Sequence, residues 1–243
     1  MTDNPIEHSE AVQRALAGKA NVNVFEALKQ ANELTKGSFA TFSFAGIVVL
    51  TIFLTIVMLG TQALNIEINS VEDMATPEYS LLNFIVILFM SPLLAGLTMM
   101  GVNQARKKRI KVFDVFQWLS IAIVIALGAL IVSILVEIGL QLFIIPGVYL
   151  GITTMFSSAL IADKKLTAVS AIILSIRVVN KYLGQFVLFF FISLGLFIFA
   201  GMTFGVALFW IMPLYFNTKG ILYESLFGDT EFSASETGST FSA

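Results

Sequence analysis

The feature that most constrains this chain is the length of its uncharged runs. From Tyr182 to Thr218 there are 37 residues with no Asp, Glu, Lys or Arg. As one helix at ~1.5 Å per residue that run would extend about 55 Å, far beyond the ~30 Å of bilayer hydrocarbon that about 20 residues cross. It must fold back, and "AGMTFG" (200–205) is the natural turn. Two other stretches behave alike. Between Lys36 and Arg106 lie 69 residues without a basic group, divided by the acidic, polar "NIEINSVEDMATPEYS" (65–80). From Val115 to Ala162 the sole charge is Glu137, which parts the run into 22 and 25 residues.

These runs predict an all-α membrane protein of six transmembrane helices, paired as three hairpins, with spans near 39–64, 81–103, 116–136, 140–162, 184–202 and 204–223. The membrane domain covers 23–227; a polar cytoplasmic segment (1–22) precedes it and a disordered cytoplasmic tail (228–243) follows. Only 12% of residues are charged, about half the share in soluble domains. The opening "MTDNPIEHSE" lacks the basic start of a signal peptide, so no cleaved leader is expected.

Charge orients the spans. If they alternate, all 14 Lys and Arg fall on one side: Arg14, Lys19, Lys29 and Lys36, five in "RKKRIK" (106–111), then Lys164, Lys165, Arg177, Lys181 and Lys219. The other side carries Glu67, Glu72, Asp73, Glu78 and Glu137. The positive-inside rule then puts both termini in the cytoplasm, for a multi-pass protein of a bacterial inner membrane.

Each hairpin follows one plan: an amphipathic cytoplasmic segment, a plain span, then a span containing proline. The prolines are Pro92, Pro146 (followed by Gly147) and Pro213, with Gly96, Gly151 and Gly220 a short way beyond. Proline removes a backbone bond and clashes with the preceding turn, so these positions are candidate helix breaks. Two uses are open. The kinks serve packing, with glycines allowing close helix contact, or broken helices line a cavity. A pathway would draw on Thr153, Thr154, Ser157, Ser158, Asn217 and Lys219; the hydroxyls serve equally to repair the broken ladder. Lys219 either snorkels toward water or pairs with Glu224, and Asn83 and Asn217 are expected to hydrogen-bond between helices.

The amphipathic segments are 21–39, 110–118 and 166–186. The first puts Val24, Phe25, Leu28 and Ala31 on one face; the third puts Val169, Ile172, Ile173, Ile176 and Val179 together. Each is expected to lie in the cytoplasmic interface, apolar face toward lipid, with Trp118, Tyr182 and Tyr223 at the same level. Arg106, Lys107, Lys108, Arg109, Lys111, Lys164, Lys165, Arg177 and Lys181 are candidate contacts for anionic headgroups, each worth ~1 kcal/mol near the surface.

Chemistry is sparse. There is no cysteine, and the one histidine, His8, lies in the polar N-terminal segment, so the usual nucleophile–base pairs have no base. Carboxylates in 65–80 lack a cation-loop spacing, and Glu137 sits at a turn, where exposure explains it. No catalytic residue, metal, cofactor or nucleic-acid partner is expected. The expectation is a non-enzymatic membrane-organising protein that binds anionic lipid and associates with itself or another membrane protein. The alternative is a channel or small-solute transporter.

Two segments carry a resemblance. "SPLLAGLTMMGVNQARKKRIKVFDVFQWL" and "IIPGVYLGITTMFSSALIADKKLTAVSAIILSIRVVNKYLGQF" resemble the YciC-like bacterial inner-membrane family and the membrane domain found with some glycerophosphodiester phosphodiesterases. The resemblance covers roughly 90–190. It implies a helical inner-membrane domain and transfers no catalytic residue.

Overall fold

The computed structural model describes residues 9–66 and 76–228. The expectations for His8, for most of the acidic 65–80 loop and for the C-terminal tail fall outside the described residues. The described chain is all helical: α1 (Glu10–Leu16), α2 (Val24–Ala63), α3 (Pro77–Ala105), α4 (Ala122–Leu142), α5 (Ile144–Thr153), α6 (Ser157–Lys164), α7 (Ala168–Lys181), α8 (Leu183–Met202) and α9 (Leu208–Phe227). Five segments are long and apolar enough to cross a membrane: Val24–Ala63, Pro77–Ala105, Val112–Leu142, Ile144–Lys164 and Leu183–Met202. The sixth anticipated span corresponds to α9, which carries Asn217, Lys219 and Glu224 and is not among the five.

The first amphipathic segment is not a separate helix. It runs on into the first span as one 40-residue helix, about 60 Å long. Its buried positions explain the continuity: Val24, Ala27, Ala31, Thr35, Ser38, Phe42, Ala45 and Val49 repeat every three or four residues across the supposed junction. Asn23 caps it, its side chain accepting from Phe25 N and Glu26 N. Phe25, expected on the apolar face, is exposed. The second segment forms short 3-10 turns at Val112–Phe116 and Leu119–Ile121, held by Asp114 accepting from Lys111 N and Gln117 Nε2.

The third segment does form a helix, α7, but with a rotated face. Ala171, Ile172, Leu174, Ser175, Val178 and Val179 are buried, whereas Val169 and Ile173 are exposed. The rotation follows from what α7 packs on. Ser175 Oγ donates to Thr153 O at 2.7 Å, so the small, polar edge of the stripe faces protein.

The prolines also sit differently from the expected breaks. Pro92 and Pro213 lie inside α3 and α9, which continue through them. Pro146 is in the first turn of α5, where its missing N–H has no intrahelical acceptor to lose. The interruption in that span comes later, between Thr153 and Ser157. Gly147 serves the α4–α5 turn: a Cβ there would run into Leu140, and one on Gly139 would meet Gly147 Cα at 2.9 Å. Only hydrogen-sized groups let the two helices turn back on Phe143 alone.

α3 is the central helix, packed by α2, α4, α6 and α9 and the most buried of the five candidate crossing segments. Its tightest contact is with α9, where a Cβ on Gly101 would strike the Phe216 carbonyl and one on Gly220 would strike Gly101. The polar N-terminal segment belongs to this assembly. Val12 and Ala15 of α1 are fully buried, and the Tyr182 hydroxyl accepts from Ala20 N (2.8 Å) and donates to Ala15 O (3.1 Å). Tyr182 therefore ties α1 to the start of α8.

Candidate functional site

The starts of α2 and α8 meet where Val24 N donates to Gln185 Oε1 at 3.2 Å. The ends of α3, α6 and α9 meet at the same end of the bundle, around one guanidinium. Arg106 donates through Nη1 and Nη2 to the two oxygens of Asp163 at 2.7 and 2.8 Å, and through Nε to Glu224 Oε2 at 2.8 Å. Tyr223 OH donates to Asp163 Oδ2 at 3.0 Å. The bidentate fork suits a planar cation facing a carboxylate. Hydrogen bonding to Asp163 and the charges of Asp163 and Glu224, opposed by burial, hold the Arg106 pKa above its ordinary value.

The knot is buried on its inner side. Arg106, Asp163 and Glu224 side chains are 19%, 11% and 3% exposed, and beneath them Phe156 packs edge-on against Phe186, Tyr223 and Phe227 at 5.5–5.8 Å. Arg106 is thus not a headgroup contact as anticipated: its charge is consumed by two carboxylates inside the protein. Glu224 pairs with Arg106 and not with Lys219. Tyr223 is fully buried within the protein, so its ring does not face headgroups. On the outer side a polar cavity of about 180 Å³ is lined by Arg14, Lys19, Asn23, Glu26, Gln30 and Glu224, so cationic groups share a wall with the second carboxylate.

The other candidate headgroup residues keep their accessibility. Lys107, Lys108, Arg109, Lys111, Lys165, Arg177 and Lys181 are exposed, and Lys164 is half-buried. The far end of the bundle exposes Glu78 and Glu137, and among the described residues it bears no Lys or Arg.

The six pathway candidates do not share one lining. Thr153 Oγ1 donates to Tyr149 O, Thr154 Oγ1 to Leu150 O and Ser157 Oγ to Thr154 O, so the hydroxyls are satisfied by backbone carbonyls next to the α5–α6 interruption. Thr154 and Ser158 also border a cavity of about 520 Å³ with Asn83, Ser133 and Glu137. Asn217 is elsewhere: its Nδ2 donates to Thr35 Oγ1 at 3.1 Å, and its Oδ1 has no partner among the described residues. Lys219 is half-buried on α9. A second link at that level joins Ser38 Oγ to Gln104 Oε1 at 3.0 Å.

Sequence reasoning missed the knot itself. The available signal was that charges end three of the crossing or near-crossing segments on one side: Arg106, Asp163 and Glu224. No family model, curated protein or solved structure matches the chain.

Proposed function

We propose that this chain is a non-enzymatic integral membrane protein of a bacterial inner membrane, with α9 as a sixth crossing and both termini in the cytoplasm. It binds anionic phospholipid headgroups at its cytoplasmic face and organises the membrane by lateral association with itself or another membrane protein. The observation that carries this reading is the asymmetry of exposed charge among the described residues: one end exposes eleven Lys and Arg, seven of them in the patch Lys107, Lys108, Arg109, Lys111, Lys165, Arg177 and Lys181, against Glu10, Glu26 and Glu33, whereas the other exposes Glu78 and Glu137 and no cation. At ~1 kcal/mol per basic group near an anionic surface, that patch supports selective headgroup enrichment even if half the groups engage. The YciC-like resemblance implies a helical inner-membrane domain and carries no activity. The solute-pathway alternative draws on the cavity beside Thr154 and Ser158, but Thr153, Ser157 and Asn217 are committed to other contacts.

The test is co-purification from nanodiscs of equal phosphatidylethanolamine and phosphatidylglycerol, with bound lipid counted by native mass spectrometry. Phosphatidylglycerol is expected to be enriched severalfold, and the combined Lys107→Gln, Lys108→Gln, Arg109→Gln, Lys111→Gln variant to lose most of that enrichment. Retained lipid in the bulk ratio overturns the reading.

A further inference from the structure

Two turns at the far end of the bundle are finished by apolar side chains. The α4–α5 turn exposes Leu142, Phe143, Ile144 and Ile145 at 65–82%, and the α8–α9 turn exposes Met202, Phe204 and Val206 at 76%, 99% and 71%. Turns in water are built from Gly, Pro, Asn, Asp and Ser. α8 and α9 are 20 residues each, about 30 Å long, which matches the ~30 Å hydrocarbon thickness. On the membrane reading above, their shared tip ends at the far edge of the hydrocarbon.

Phe204 makes the case sharper. Its φ is +51°, a left-handed backbone that costs a non-glycine residue roughly 1–2 kcal/mol. A fully exposed phenylalanine offers nothing in water to offset that. Burial of its ring in lipid contributes about 1.5–3 kcal/mol, which exceeds the backbone cost.

Behind this tip, between the third hairpin and α2 and α3, runs a groove of about 740 Å³. Gly46, Leu50, Phe53, Met90, Phe204 and Met212 form its walls, and no charged side chain lines it. Its two polar side chains are Ser43, which donates to Phe209 O at 3.3 Å, and Tyr215, whose ring stacks on Phe189 at 5.6 Å. The volume is that of a small-molecule site. At ~30 Å³ for each water-sized group it has room for about 25 such groups, enough for one long hydrocarbon chain and too little for a helix.

We infer that this groove holds one acyl chain of a phospholipid from the leaflet the tips enter. The occupant is a hydrocarbon and not a headgroup, because the walls offer no countercharge; it is lipid and not solute, because the mouth lies at the depth of the apolar tips. The inference rests on the membrane reading above and is independent of the headgroup patch at the other end.

The test is photolabelling of the full chain in vesicles of phosphatidylcholine doped with an analogue carrying a diazirine on its acyl chain. Adducts are expected to concentrate on 43–53 and 204–216, several-fold above the exposed outer face of α8 around Phe191 and Phe199. Gly46→Leu, which presses on the flexible Met212 side chain, should deplete groove adducts severalfold and spare those on α8. Leu50→Trp, placed at a half-exposed position, fills the same space should the first variant fail to fold. Adducts spread evenly over all exposed apolar residues, undiminished in both variants, overturn the inference, as does a protein–protein cross-link through the groove. Because the vesicles are neutral, a failed headgroup experiment leaves this outcome unaffected, whereas absence of adducts on every helix overturns the membrane reading as well.

Discussion

The two ends of the bundle solve opposite problems. At the basic end, Arg106, Asp163, Glu224 and Tyr223 join the ends of α3, α6 and α9 through four charge-assisted contacts over an aromatic floor. At the far end the α4–α5 and α8–α9 turns meet their surroundings with bare Phe, Ile, Leu and Met. A buried polar network holds helix ends in one register because its members cannot be left unpaired; the apolar tips, on the membrane reading proposed above, hold depth by entering lipid. The difference teaches that the first end specifies the bundle and the second specifies its solvent.

The comparison breaks most readily at its polar end. Arg106→Ala leaves two carboxylates facing each other with their main counterion gone, and removing one member of a buried ionic group costs about 3–5 kcal/mol. Unfolding in mixed micelles should show that loss, and a shift below about 1 kcal/mol would mean the knot is ornamental. Next comes the α3–α9 crossing. Gly101→Leu forces the backbones of two helices apart, and a loss of about 1–3 kcal/mol is expected, visible as a lowered midpoint with retained helical circular dichroism. Asp163→Asn should cost less than Arg106→Ala, about 1.5 kcal/mol, because Arg106 keeps Glu224. A larger loss than that of Arg106→Ala would reverse the proposed roles.

The smallest effect has the most informative sign. Asn tolerates a left-handed backbone better than Phe, so Phe204→Asn in water would stabilise by up to ~1 kcal/mol. In hydrocarbon the buried amide costs about 1–3 kcal/mol instead. Equilibrium unfolding in nanodiscs should give a loss, and a gain would place the tip in water.

Much of the architecture was legible because charge is so disfavoured in hydrocarbon that uncharged runs mark candidate crossings almost by counting. Five of the anticipated spans coincide with segments that are long and apolar enough. Less was legible where one residue decides between inside and outside. Arg106 and Lys107 are neighbours in one basic motif, yet Arg106 turns inward and Lys107 is exposed. The reason is distance along the chain: the Arg106 partners lie 57 and 118 residues away, beyond any local pattern. The continuity of α2 was readable in principle from the stripe Val24, Ala27, Ala31, Thr35, Ser38, Phe42, Ala45 and Val49, which keeps its spacing across the change from polar to apolar composition. The far groove had no local signal, since α2, α3 and the third hairpin build it jointly.

The central claim is that the two ends sit in different solvents. The chain has no cysteine, so single cysteines at Lys108, Ile145 and Phe204 can each carry a nitroxide in nanodiscs. Relaxation by oxygen, which concentrates in hydrocarbon, is then compared with relaxation by a water-soluble nickel chelate. The account predicts a water signature at 108 and a hydrocarbon signature at 145 and 204. Equal chelate access at all three positions would contradict it.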